Sequence, residues 1–216
     1  MRWIKSPFAA LLTILAMLLS QSVLALEWGE GFDPVDPPAI TDSGGKIEVV
    51  EFFWYGCPHC YTIDPEVKAW LKKKPEDVVF RHVPAPLNPR WAAHARFFYA
   101  AEILGVADKL HKPLFEAMHK ENRRLFDKES LLEFAGEQGV DKEEFRKAWD
   151  SFAVALRVQR AKKLAEQYQI DSVPVFGVNG KYKTSVSLTG SSGKLFEIID
   201  KLISEEKTKQ VATESK

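Results

Sequence analysis

The chain is 216 residues long, 45% apolar, and balances 30 Lys and Arg against 30 Asp and Glu. That balance offers nothing to recruit a nucleic acid, and the length allows one elaborated domain or two small ones with ample core. Only two cysteines are present, so this is not a small scaffold that depends on disulfides to fold.

Arg2 and Lys5 precede Phe8–Leu19, twelve residues of which only Thr13 is polar, and Val23-Leu24-Ala25 supplies small residues where a signal peptidase reads. The run is shorter than the roughly 20 residues of a membrane span, so residues 1–25 read as a cleaved signal peptide rather than an anchor. No later stretch is long enough to cross a bilayer. The mature chain, starting near Leu26, is expected to be soluble in an oxidising compartment, which in a bacterium is the periplasm. Loss of Arg2 and Lys5 leaves 28 basic residues against 30 acidic ones and still no nucleic-acid partner.

Residues 26–45 carry Pro34, Pro37, Pro38 and Gly44-Gly45, which predict an extended arm on a domain edge. Ile47 to Tyr55 is a nearly unbroken β-branched and aromatic run, interrupted by Glu48 and Glu51; it predicts a strand covered on both faces that ends directly at the cysteines. Pro58 suits the first turn of a helix running through Ile63, Val67, Trp70 and Leu71, with a kink expected at Pro65 and Lys72–Lys74 at the negative end of its dipole. Asp77 to Val83 predicts the next strand, completing a βαβ unit before the breakers Pro84, Pro86 and Pro89. Helical spacing follows over Trp91–Leu104, Lys112–Lys120, Glu129–Gln138 and, as one helix, Glu143–Tyr168. Asp127 and Asp141 are placed as N-caps, and Glu144 is expected to complete a capping box with Asp141. Asn179-Gly180, between Val175–Val178 and Lys181–Ser185, signals a hairpin with a type I′ turn. Leu195, Phe196, Ile199, Leu202 and Ile203 form the apolar stripe of a last helix, with a frayed polar tail from Glu205.

The order βαβ, helices, ββα predicts an α/β chain with a thioredoxin-like fold, split by a helical domain inserted between its halves. The first part spans residues 26–87, the insertion 88–168, the second part 169–205, and a flexible tail 206–216. Residues near Cys57 and near Pro174 are then neighbours in space.

The chemistry centres on Cys57-Pro58-His59-Cys60, the whole thiol inventory set two residues apart. Cys57 follows a strand and opens a helix, where free N–H groups and the positive dipole end favour the thiolate. His59, when protonated, adds positive charge beside that sulfur. A stabilised thiolate stabilises the reduced pair and makes the disulfide a strong oxidant. Cys57 is expected to be the accessible attacker and Cys60, a turn inside, the buried resolving thiol. Val173-Pro174 stands before a strand that the split fold lays beside the thiol; a cis bond there would expose the Val173 backbone to pair with an extended peptide. Glu51 reads either as a sheet-edge carboxylate facing water or as a buried acid able to relay a proton to and from Cys60. Trp54 and Tyr55 read as core or as a shallow apolar surface for clients, and Phe97, Phe98, Trp149 and Phe152 as core. His82, His94, His111 and His119 lack ligand spacing and are assigned structural roles.

Competing readings stay open at this stage. A purely structural Cys57–Cys60 link closes too small a loop to constrain the unfolded chain much. Cys57, His59 and Cys60 could bind Cu(I) or Zn as a metal carrier, although a closed zinc site needs four ligands and no second cysteine pair exists. A disulfide isomerase or a reductase would use the same motif, and a chaperone would need no thiol chemistry.

Glu51-Phe52-Phe53 leading into Cys57-Pro58-His59-Cys60-Tyr61, the helical insertion, and Val173-Pro174 before Asn179-Gly180 resemble the DsbA family of periplasmic thiol:disulfide oxidoreductases, from about Lys46 to Ile203. A depressed cysteine pKa and an oxidising disulfide are hallmarks of that family, so the resemblance implies the direction the local argument takes. It also implies oxidation of newly secreted, unfolded proteins, monomeric action, no cofactor, and reoxidation by a DsbB-type, quinone-linked inner-membrane partner. By motif position Cys57 is the nucleophile, Cys60 the resolving cysteine, Pro174 the cis-proline and Glu51 the buried acid. The chain departs from relatives that pair this acid with a lysine on the next strand: here that stretch reads Phe80-Arg81-His82, leaving Arg81 as the substitute or Glu51 without a basic partner.

Overall fold

The computed structural model describes residues 31–214, so the expected signal peptide of residues 1–25 lies outside the described residues. Five strands form one sheet in the order β1-β5-β4-β2-β3. β2 (Ile47–Phe53) is buried at every position, which explains its continuous apolar reading: covered on both faces, it has no solvent side to mark with polar residues. Val49, Val50 and Phe52 are fully buried, each worth about 1.5–3 kcal/mol of transfer. β2 pairs in parallel with β3 (Val78–Pro84) and antiparallel with β4 (Val175–Val178). β4 turns into β5 (Tyr182–Thr184) through Asn179 and Gly180, at φ +50° and +72°, the two positive values a type I′ turn requires.

The arm does lie on a sheet edge, and part of it is a strand: β1 (Phe32–Pro34) pairs with β5, and Val35 and Ala39 donate to the carbonyls of Lys181 and Gly180. Asp36–Pro37 in this arm is a second cis bond.

α1 (Pro58–Leu71) continues through Pro65. The helical block is α2 (Pro89–Ile103), α3 (Ala107–His119), α4 (Lys128–Glu137), α5 (Lys142–Asp150) and α6 (Phe152–Gln167), with α2 packed against α3, α5 and α6. Its core is aromatic, with Phe97, Phe134 and Phe145 nearly inaccessible, and it is continuous with Phe52 and Phe53 of the sheet. α7 (Val186–Thr189) is a single turn closed by Gly190 at φ +79°, and α8 (Ser192–Glu214) packs on β2, β4, β5 and α1.

Four local expectations need correction. The helix expected over Glu143–Tyr168 breaks at Ser151, whose backbone is extended and whose hydroxyl accepts from Val154 N at 3.2 Å; a serine cap starts α6 there. Phe152, expected in the core, begins that new helix and is 81% exposed. Asp141 caps α5 by accepting from Glu144 N, but the reciprocal capping box forms at Asp127 with Ser130 instead. The tail expected to fray from Glu205 is helical through Glu214, because Glu206 is buried and binds Asn179, Lys181 and Lys209.

Candidate active site

β2 ends at Phe53, and the Trp54–Gly56 turn closes with Cys57 N donating to Trp54 O at 2.9 Å. Gly56 is required there: a Cβ would sit 2.3 Å from the Trp54 ring. Cys57 is the N-cap of α1, with extended φ and ψ of −90° and 116° and Pro58 in the first turn. Its sulfur accepts from the Cys60 amide at 3.4 Å, taking the place of the usual capping oxygen.

Both cysteines are free thiols. Cys57 is 7% exposed and Cys60 1%: both are buried, so the accessible Cys57 expected from its place at the helix start is only slightly more open than Cys60. The Cys57 thiol is held down to about 6, foremost by the Cys60 thiol donating to its thiolate, against burial, with the Cys60 and His59 backbone N–H groups and the His59 charge adding to the depression. Burial, then the Cys57 contact and charge, then the Glu51 charge, drive the Cys60 thiol far above its ordinary range. At neutral pH one sulfur is therefore thiolate and its neighbour thiol, although both belong to one turn of helix. Pro58 and His59 lie on the exposed outside of that turn.

Val173–Pro174 is cis and stands beside the thiol. Val173 O lies 3.3 Å from Cys57 Sγ, across 116 positions of sequence, within reach of the protonated sulfur as donor. This brings the two halves of the split fold together at one sulfur.

Glu51 is 3% exposed, which removes the water-facing reading. Arg81 is not its partner. In the parallel register Glu51 lies opposite His82 and Val50 opposite Arg81, so the two-residue strand period puts Arg81 on the other face, where its Nε donates to Glu48 Oε2 at 2.9 Å. His82 takes the lysine's place: its Nδ1 is 2.8 Å from Glu51 Oε2.

Tyr55 is 1% exposed and cannot serve as a client surface; its hydroxyl is 3.0 Å from His111 Nδ1, and its ring packs on Phe53 and Phe115. Trp54 is half-buried and stacks on Trp91, 4.5 Å apart and 11° from parallel, so any apolar client surface is built from this pair. His119 Nε2 donates to Tyr55 O at 2.8 Å and its ring stacks on Tyr61, holding the loop before the motif against α3. Sequence spacing hid His82, His111 and His119 because their partners come from other elements; the alternation of β3 beside a carboxylate-bearing β2 was the one usable signal.

The profile of the DSBA-like thioredoxin domain family matches residues 48–194. The thiol:disulfide interchange protein DsbA of Azotobacter vinelandii is 46% identical over 166 residues, covering 77% of this chain and 78% of that protein. The DsbA of Pseudomonas aeruginosa strain PAO1 is 40% identical over 179 residues, covering 83% and 85%. A crystal structure of Pseudomonas aeruginosa DsbA superposes with a TM-score of 0.81 at 39% identity, covering 84% of this chain and 95% of that one, and NmDsbA3 of Neisseria meningitidis with 0.75 at 30%, covering 86% and 99%. With its cysteines unequal at a helix start, its cis-proline beside them, and these likenesses over most of its length, the chain belongs to the DsbA family of thioredoxin-fold thiol:disulfide oxidoreductases.

Proposed function

We propose that this chain oxidises thiol pairs in unfolded secreted proteins in the bacterial periplasm, with the Cys57–Cys60 disulfide as the oxidant. The observation that carries the direction is the inequality of the two sulfurs. A thiolate favoured at Cys57 stabilises the reduced enzyme, so the disulfide gives itself up readily. A client thiolate attacks Cys57 Sγ, the Cys57–Cys60 bond breaks, and Cys60 leaves with the electron pair and takes a proton. A second client thiol loses its proton and attacks the client sulfur of the mixed disulfide, releasing Cys57 as thiolate. The client ends with one disulfide and two fewer electrons; the enzyme holds both.

Val173 and Pro174 form the edge along which an extended client backbone lies, with Trp54 and Trp91 beside it. Glu51 takes and returns the Cys60 proton. The enzyme acts as a monomer, and a DsbB-type, quinone-linked membrane partner reoxidises it. No helix among the described residues is long and apolar enough to cross a membrane, which suits a chain released after signal cleavage.

Cys60→Ala expressed in the native compartment tests the reading. Secreted proteins trapped as mixed disulfides on Cys57 are expected, and an empty trap refutes it. Equilibration in glutathione buffers separates oxidase from isomerase or reductase: the pair is expected to be reduced even under mildly oxidising ratios, and a pair that stays oxidised in reducing buffer overturns the direction.

A further inference from the structure

β3 is the outermost strand on its side of the sheet, paired with β2 alone. Ala85 N donates to Phe53 O at 2.9 Å, and the parallel register sets Phe53 opposite Pro84. Backbone groups of a paired strand alternate between its two edges, so Val79, Arg81 and Val83 turn theirs to β2, while Val78, Phe80, His82 and Pro84 turn theirs outward. Val78 O is taken by Lys74 Nζ at 2.6 Å, and Pro84 has no N–H to offer. Phe80 and His82 keep open donors and acceptors, with no backbone partner on that side among the described residues.

The side chains of Phe80, Arg81, His82 and Val83 all line one cavity of about 1050 Å³. Successive side chains of a strand point to opposite faces, so only a cavity running along the edge of β3 meets all four. Its two flanks differ. Phe80 packs on Trp70 of α1 and His82 on His111 of α3, and Leu71 adds to this apolar side. Val83 lies opposite Phe52, whose ring packs on Tyr168 at the end of α6. From α6 come Arg157, Arg160 and Lys163, and no acid. Arg157 is held by Glu102 at 3.0 Å, whereas Arg160 and Lys163 are exposed and have no ion pair among the described residues. Asp42 and Asp108 also reach the wall, leaving the unpaired cations concentrated on α6.

We propose that this edge is a second docking site for unfolded clients, taking an extended segment of alternating acidic and apolar residues as an added strand beside β3. The segment's backbone pairs with Phe80 and His82, its carboxylates turn to Arg160 and Lys163, and its apolar side chains turn to the α1 side. None of Cys57, Pro58, His59, Val173 or Pro174 lines the cavity, so a client can occupy both places at once. The proposal rests on the oxidoreductase reading for its choice of occupant; the pairing itself does not depend on thiol chemistry.

The test uses the full-length reduced protein and a cysteine-free peptide of alternating glutamate and valine, about six residues long to span the open stretch. Binding is followed by fluorescence anisotropy, and amide hydrogen exchange by NMR. Expected is salt-sensitive binding that Arg160→Glu with Lys163→Glu abolishes, and that a lysine–valine peptide does not show. Protection is expected to rise at the Phe80 and His82 amides and to stay unchanged at Arg81 and Val83, which already face β2. Absence of binding, equal binding by the lysine peptide or by the double variant, or protection without this alternation overturns the site. The glutamate–valine segment is then joined to a dithiol peptide through a Gly-Ser linker of about 30 residues, with a mean reach of roughly 30 Å. A gain in kcat/KM of about fivefold or more over the bare dithiol peptide is expected, lost in the double variant, which oxidises the bare peptide at the wild-type rate. Binding without that gain overturns the client role. If wild type fails to oxidise even the bare peptide, the oxidoreductase reading fails while the binding result stands, so the two failures are distinct.

Discussion

Removing the Cys57 thiolate tests the electrostatics of the site through stability, and the magnitude follows from the structure. The folded sulfur titrates at about 6 against an ordinary value of 9.0, so it gives up its proton more readily folded than unfolded. Ionisation therefore favours the folded, reduced protein: the contribution is complete above about pH 9 and is lost as the pH falls through 6. At about 1.36 kcal/mol per pKa unit, it amounts to about 1.4 kcal/mol at pH 7, about 2.7 kcal/mol at pH 8 and almost nothing at pH 5, upper values once solvent screening at a partly open sulfur is allowed for. Urea denaturation of reduced wild type and reduced Cys57→Ala, at pH 5, 7 and 8 under argon, reads this directly. Any packing loss in the variant is the same at each pH and cancels. Stability curves that run parallel across the three pH values would refute the assignment of a stabilised thiolate, whatever the activity.

Cys60→Ala removes the S–H donor that contributes most to that thiolate, and a hydrogen bond to a charged group is worth about 1.5–3 kcal/mol, so the Cys57 pKa should rise by about 1 to 2 units in a thiolate titration. Gly56→Ala drives a methyl into the Trp54 ring, itself pinned on Trp91; a loss of about 1–3 kcal/mol is expected in denaturant unfolding, with slower peptide oxidation. Tyr55→Phe leaves the buried His111 Nδ1 without a partner and should cost about 1–3 kcal/mol in thermal unfolding, more than removal of an exposed hydroxyl.

The readings that held share a short reach. Cys57 caps a helix because a strand, a turn and Pro58 adjoin it in sequence, and Asn179-Gly180 turns the hairpin because both residues tolerate positive φ. The readings that failed turned on choices between elements. Ser151 fits either a helix interior or a cap, and only the packing of α5 and α6 against α2 makes it a cap, which in turn leaves Phe152 outside. Glu206 reads as part of a polar tail until the hairpin brings Asn179 and Lys181 against it. Arg81 and His82 were equal candidates to meet Glu51 until the parallel register set His82 opposite and Arg81 on the other face.

By itself the sequence determined the motif, its place at a helix start, the split order of elements and the identity of the proline beside the thiol, because each depends on residues a few bonds apart. Tertiary structure alone decided how the histidines are used. His82 meets Glu51 through strand pairing and opens on a cavity shaped by four helices and a strand, and His111 braces it from the inserted block. Such contacts depend on register and packing between segments distant in the chain, where a one-residue shift would exchange every partner.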